Sequence, residues 1–220
     1  SKALNNRGDI SDETKEKICR VAKELGYLPN SSARALKTNR TYNIGVLFVD
    51  KANCGLTHSY FSHVLDSFRR GAEEEGYDIT FISQHAGKNK LSYYEHSKYR
   101  GVDGVVIACV DFEDEAILEL VNGEIPVVTI DYSFHNKSSI LSDNVTGMEE
   151  IVQYVVDMGH RDIAYIHGAE SGVTEHRLRS FYRTMKELHV PVRDEWVREG
   201  VYHDPKSAAR ITNELLTLSN

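Results

Sequence analysis

Ile44-Gly45-Val46-Leu47-Phe48-Val49 is the stretch that decides the fold. Six residues without a charge read as a strand buried on both faces, the habit of parallel sheets. Similar runs recur at Asp78-Ile79-Thr80-Phe81-Ile82, Gly104-Val105-Val106-Ile107-Ala108, Pro126-Val127-Val128-Thr129-Ile130 and Ile163-Ala164-Tyr165-Ile166. Amphipathic stretches between them predict helices over 58–75, about 90–99, 113–121, 145–158 and 174–189. A late strand near 197–202 and a helix from Pro205 to about Leu218 continue the rhythm. Strand–helix alternation predicts an α/β fold with parallel sheets and right-handed crossovers.

Upstream of residue 43 the pattern is helical and basic. Ser11 is a candidate N-cap, and Asp12 and Glu13 suit the positive end of a helix. Ile18, Val21, Ala22 and Leu25 follow at helical spacing and predict one buried stripe. Gly26 ends the helix and Pro29 forbids its continuation. Asn30 or Ser31 can cap a second, short helix carrying Ala33 and Leu36, and residues 38–42 form a polar connector.

Composition agrees with a soluble globular protein: 220 residues, 40% hydrophobic and 27% charged, with no apolar run of membrane length. The net charge of -7 is unevenly spread. Residues 1–40 hold nine Lys/Arg against five Asp/Glu, and the rest seventeen against twenty-eight. A basic head on an acidic body suits a head that meets a polyanion. Cys19, Cys54 and Cys109 are odd in number and widely spaced, which fits free thiols in a reducing cytoplasm.

Several segments together resemble the lactose/galactose repressor (LacI/GalR) family of bacterial transcription regulators. Ser1-Lys2-Ala3-Leu4-Asn5 resembles the end of the family's recognition helix, and 10–25 its third headpiece helix. Tyr27-Leu28-Pro29-Asn30-Ser31-Ser32-Ala33-Arg34-Ala35-Leu36 resembles the hinge helix, and Arg40-Thr41 through Ile44-Gly45 the entry to the sensor core. Val102-Asp103-Gly104, Ile130-Asp131, Asp143-Asn144-x-x-Gly147, Gly159-His160-Arg161 through Gly168, and Arg177 recur in the family's order. The resemblance implies a periplasmic-binding-protein-like (type I) two-lobed core with parallel sheets, behind a partial helix-turn-helix headpiece and hinge helix. The implied units are a headpiece over 1–28, hinge and linker over 29–41, a first lobe over 42–143 and an incomplete second lobe over 144–220. It also implies a chain truncated at both ends. The family's usual Asn-Pro-Phe-Phe is replaced by Asn53-Cys54-Gly55-Leu56-Thr57-His58-Ser59-Tyr60-Phe61, so the effector is not legible from that loop.

By the same resemblance, Lys2 would reach guanine acceptors in the major groove, and Ser1 and Asn5 a base edge or phosphate. Ser11 and Thr14 can donate hydroxyls to phosphate at a helix N-terminus, compatibly with a capping role. Tyr27 is either core or a phosphate contact. Asn30, Ala33 and Leu36 belong to the hinge, whose leucine would wedge a minor-groove base step or else pack on its own headpiece.

In open α/β sheets ligands meet the carboxyl ends of strands. On that rule Tyr60, Phe61, Asp131 and Tyr132 are effector candidates after the first-lobe strands; across the cleft, the resemblance makes Arg177 the family's ligand-binding arginine and Tyr202 a position that is often aromatic in the family. Sugars need planar polar forks for their hydroxyls and aromatic faces for their C–H face. Arg177 could instead be a surface ion-pair partner, and each aromatic could be core. There is no Gly-x-Ser-x-Gly, Gly-x-Gly-x-x-Gly, Gly-x-x-x-x-Gly-Lys-Ser/Thr or His-Glu-x-x-His motif, so no catalytic, cofactor or metal site is expected. The reading is a cytoplasmic homodimeric repressor that binds operator DNA and a saccharide effector. The alternative is a solute-binding protein of the same fold without DNA function.

Overall fold

The computed structural model describes residues 11–27, 35, 40–49, 59–202 and 204–218. Ser1, Lys2, Asn5, Asn30, Ala33 and Leu36 lie outside them.

Helix α1 spans Asp12–Glu24. The Ser11 hydroxyl accepts the Thr14 amide at 3.4 Å, as the N-cap reading requires. Gly26 at φ 63° closes the helix, with Gly26 N–H on Lys23 O and Tyr27 N–H on Ala22 O. That pairing is a Schellman ending, which selects glycine because its backbone is left-handed. The predicted buried stripe is corrected here: Leu25 is 78% exposed and Val21 and Tyr27 are exposed too. Thirteen residues of helix supply no second surface, so the stripe has nothing among the described residues to pack on.

The first lobe runs β1 (Asn43–Phe48), α2 (Ser59–Glu74), β2 (Asp78–Phe81), the hairpin β3 (His85–Ala86) and β4 (Asn89–Lys90), α3 (Tyr93–Arg100), β5 (Gly104–Ala108), α4 (Glu115–Asn122), β6 (Val127–Ile130) and β7 (Ser138–Ile140). The sheet order is β2-β1-β5-β6-β7, every pair parallel. Leu47, Ile107 and Leu120 are fully buried, with Ile82, Val105, Ile117, Val121 and Val127 around them. Phe112 and Phe134 close one end.

Two expectations shift. The helix expected from about residue 90 starts at Tyr93, because Ser92 and Glu95 form a reciprocal capping box and Lys90 is held in the hairpin. β7 escapes the pattern because Ser138-Ser139-Ile140 is an edge strand with Ile140 65% exposed. It pairs parallel with β6 after a loop of seven residues, 131–137, and no helix. The buried Thr129 hydroxyl donates to Tyr132 O, and Asp131 at φ 61° turns the chain back.

The second lobe runs α5 (Asn144–Asp157), β8 (Tyr165–His167), α6 (Gly172–Glu187), a 3₁₀ turn (Asp194–Trp196), β9 (Val197–Glu199) and α7 (Pro205–Leu218). β8 and β9 are parallel and three residues each, shorter than expected. β8 starts at Tyr165 because it pairs with β9 alone among the described strands. Gly200 N–H donates to His167 O and the chain then turns away. The core here is helix on helix: Val152 and Val156 of α5 meet Phe181 and Met185 of α6.

Candidate functional site

α5 and α6 start side by side at the carboxyl end of β8. Asp143 caps α5 and Ser171 caps α6, each accepting an amide three residues on. Hydrogen bonds from Thr146, backbone first, hold the Asp143 carboxyl below the usual range, so it stays ionised. Between these helix starts lies a depression of about 390 Å³. Asn144, Tyr165, His167, Gly168, Arg177 and Tyr202 line it, with Met148 and Ile151 among its apolar members.

Arg177 lies six residues into α6 and is half-buried. Its Nε–H donates to Asn144 Oδ1 at 2.7 Å. Among the described residues its two terminal amines make no hydrogen bond or ion pair, so the fork remains available to a ligand. The carboxamide fixes the plane of the guanidinium, the geometry that two-point recognition of paired oxygens needs.

Tyr202 is held at both ends. The Thr174 hydroxyl donates to Ala169 O at 2.8 Å, so the Tyr202 hydroxyl must be the donor in their 2.6 Å contact. The ring lies on Gly168: a Cβ there would stand 2.0 Å from Tyr202 Cε2. No other residue type fits under the ring without moving it. Tyr202 remains 36% exposed and lines the depression. Burial pushes the Tyr165 hydroxyl up, and Arg177 partly offsets this. Tyr165 is therefore a neutral donor or acceptor beside the fork.

The other expected effector residues do not line this depression. Tyr132 stacks on Phe112 at 4.4 Å and tilts against Phe134, forming a half-buried aromatic wall on the first lobe. Tyr60 is 49% exposed and meets Phe61 edge-on, and Phe61 leans on Phe48. Asp131 Oδ1 accepts the Ser142 amide at 2.9 Å and its own N–H donates to Ile140 O. Those bonds pin the end of β7 to the end of β6. Asn144 and Thr174 were not among the expected site residues. Asn144 stands within the quoted Asp143-Asn144-x-x-Gly147, and nothing local singles out Thr174.

A second depression of about 420 Å³ sits between α2 and β1–β2, lined mainly by Val46, Leu65, Phe68, Ile79 and Phe81. Its polar members are Ser62, Asp66 and Arg69, the last two bonded to each other. Its described lining is mainly apolar, the character of a packing surface.

Comparison with known proteins gives this geometry a family. Residues 41–219 match the periplasmic binding proteins and sugar binding domain of the LacI family. Residues 1–30 match the bacterial regulatory proteins of the lacI family. The chain is 29% identical, over its whole length, to the "Probable HTH-type transcriptional repressor ExuR" of Bacillus subtilis (strain 168), covering 65% of that protein. It is 28% identical to the HTH-type transcriptional repressor PurR of Serratia proteamaculans (strain 568), with 99% of the chain and 64% of that protein aligned. The chain thus spans about 65% of the length of the curated relatives it matches. Among solved structures, the lac repressor dimer bound to operator and the anti-inducer ONPF superposes with a TM-score of 0.74 at 22% identity, over 99% of this chain and 65% of that one. The transcriptional regulator CelR–cellobiose complex superposes with a TM-score of 0.66 at 20% identity, over 98% and 65%. These likenesses carry the type I two-lobed fold, and the match over 41–219 carries the membership: the chain belongs to the LacI family of bacterial regulatory proteins.

Proposed function

We propose that the protein is a cytoplasmic, DNA-binding transcription repressor that acts as a homodimer and is controlled by a small molecule, a saccharide, bound between its lobes. One observation carries this: a single chain holds both the regulator match over 1–30 and the sensor match over 41–219. A solute-binding protein of the same fold has no use for the first. Relatives support the partners: the lac repressor dimer has been solved on operator, and CelR with cellobiose. The reading assigns no catalytic step and no cofactor, in keeping with a sequence that lacks the common catalytic motifs.

In this reading residues 1–28 are the headpiece, 29–41 the hinge and linker, 42–143 the first lobe and 144–220 the second. Ser1, Lys2 and Asn5 face the bases, Ser11, Thr14 and Tyr27 the phosphates, and Asn30, Ala33 and Leu36 form the hinge. The exposure of Tyr27 supports a backbone contact over a core role. Arg177 anchors the effector with its free fork, oriented by Asn144, and Tyr202 offers a face. Tyr60, Phe61, Asp131 and Tyr132 approach from the first lobe. A ligand that prefers one arrangement of the lobes shifts the population between DNA-binding and DNA-free forms.

The test uses the intact protein. A thermal-shift screen over neutral and acidic saccharides should raise the melting temperature for at least one class. The same saccharide should change retention of a duplex selected by the protein from a random pool. Absence of DNA retention at low salt, together with turnover of a saccharide, would replace this reading with an enzyme.

A further inference from the structure

The chain enters the first lobe through a clasp. Asp103, in the turn between α3 and β5, accepts from the two residues that precede β1. Thr41 N–H reaches its two oxygens at 2.8 and 3.1 Å, the Thr41 hydroxyl donates at 2.9 Å, and Tyr42 N–H donates at 2.9 Å. Bonds donated to a carboxylate are the stronger kind. The contact is reciprocal: Asp103 N–H donates to Asn43 O at 2.8 Å, and Asn43 Nδ2 to Arg100 O at 3.4 Å. The Thr41 methyl lies 3.6 Å from where a Cβ on Gly101 would stand.

Tyr42 sits inside the clasp at φ 57°. A left-handed backbone is strained for a non-glycine residue. It is held from three sides: its amide on Asp103, its carbonyl under the Asp78 amide at 2.8 Å, and its ring against Tyr77 at 5.3 Å. A strained residue persists where its surroundings over-determine it. The chain therefore leaves the core in one direction. The sensor match begins at residue 41 and the regulator match ends at residue 30. The clasp thus stands where the connector between the two units meets the core.

We infer that Asp103 is a positioning residue: it fixes the direction in which the connector leaves the core, and so the separation at which a dimer presents its two DNA-binding units. This rests on the reading of the protein as a dimeric regulator. Two heads on fixed exits favour one half-site spacing, because dimer geometry is mirrored in the operator. Heads on released exits sample a range of separations, and the second contact then depends weakly on spacing.

The test is Asp103→Ala in the intact protein, with Asp103→Asn as the milder variant that keeps one acceptor oxygen. The probe is the duplex that the wild type selects from a random pool, with spacers one and two base pairs shorter and longer. Asp103→Ala should lose about tenfold or more in affinity on the selected spacing, while its preference among spacings falls to about threefold or less. Asp103→Asn should fall between. Hydrogen exchange should show Thr41 and Tyr42 amides exposed in the variant, with β1 and β5 still protected. Parallel weakening at every spacing would make Asp103 merely structural and overturn the inference, as would a variant indistinguishable from wild type. If the wild type selects no duplex while the two amides still lose protection, the clasp is real but the regulator reading fails, and the positioning role falls with it.

Discussion

In the first lobe the strands are the centre of the core. Val46, Leu47, Val105 and Ile107 are at most 2% exposed, and helices cover them. In the second lobe Tyr165, Ile166 and His167 are all half-buried, and the tightest packing is between α5 and α6. Buried strands make a rigid platform whose side chains meet only the rest of the core, helix residues such as Ile117 and Leu120 included. Half-covered strands leave polar side chains at their ends within reach of a ligand. That difference is why the Arg177 guanidinium held by Asn144, the clamped tyrosine and the neutral phenol gather in the second lobe. The first lobe contributes a wall of aromatic rings and the entry clasp.

The largest effects should come from the two cores and should stay separate. Phe181→Ala is expected to cost about 3–5 kcal/mol and Ile107→Ala about 2–5 kcal/mol, from lost burial plus a cavity. Hydrogen exchange by mass spectrometry should place the first loss in α5, α6 and β8 and the second in β1, β5 and β6. Losses shared equally by both lobes would break the comparison and make the two lobes one cooperative unit.

Gly168→Ala comes next. The added methyl must push the Tyr202 ring aside, since it would stand 2.0 Å from it. Affinity for the saccharide found by thermal shift should drop by about tenfold, roughly 1.4 kcal/mol, with little change in first-lobe protection. Unchanged affinity would take Tyr202 out of the site.

The smallest effect is a pH dependence confined to the first lobe. His96 is 1% exposed, and burial, aided by Arg100, pushes its pKa below the ordinary value. Its Nδ1 accepts the Ser83 amide at 2.9 Å, so the neutral ring carries its proton on Nε2. Arg100 Nε stands 3.1 Å from that same Nε2, and the two N–H groups cannot both donate to each other. A second proton on the ring would break the one good bond. The unfolded imidazole binds a proton near pH 6.5 and the folded one lower. Stability is therefore complete above about pH 6.5 and declines as pH falls through that window, by at most about 1.4 kcal/mol per pH unit. His96→Gln should flatten this slope in urea unfolding followed at pH 5 and 7. An identical slope in the variant would assign the acid loss to other groups.

The alternation of strands and helices was legible chiefly because β1, β5 and β6 are largely apolar runs with no charge. β7 was not, since Ser138-Ser139-Ile140 earns its place by pairing with β6 and carries no pattern of its own. The stripe on α1 was legible as a pattern, yet its burial depends on a surface that α1 does not supply. In the site, Arg177 and Tyr202 could be singled out by resemblance and by fold rule. The partners that aim them could not. Asn144 lies 33 residues before Arg177, and Thr174 lies 28 before Tyr202. Contacts at such separations are products of the fold, and no local pattern announces them.

The central claim is that the second-lobe fork reads the ligand. Calorimetric titration of the saccharide found by thermal shift into wild type and Arg177→Ala tests it most directly. Removing the guanidinium takes away both terminal amino groups and leaves the ligand's oxygens unpaired in a half-buried site, at a cost of about 1–3 kcal/mol. The expected affinity is lower by about tenfold to a hundredfold, with the ligand-free variant still folded and unfolding cooperatively. Equal affinity in the two proteins, with the fold intact, would contradict it and move the effector site away from Arg177.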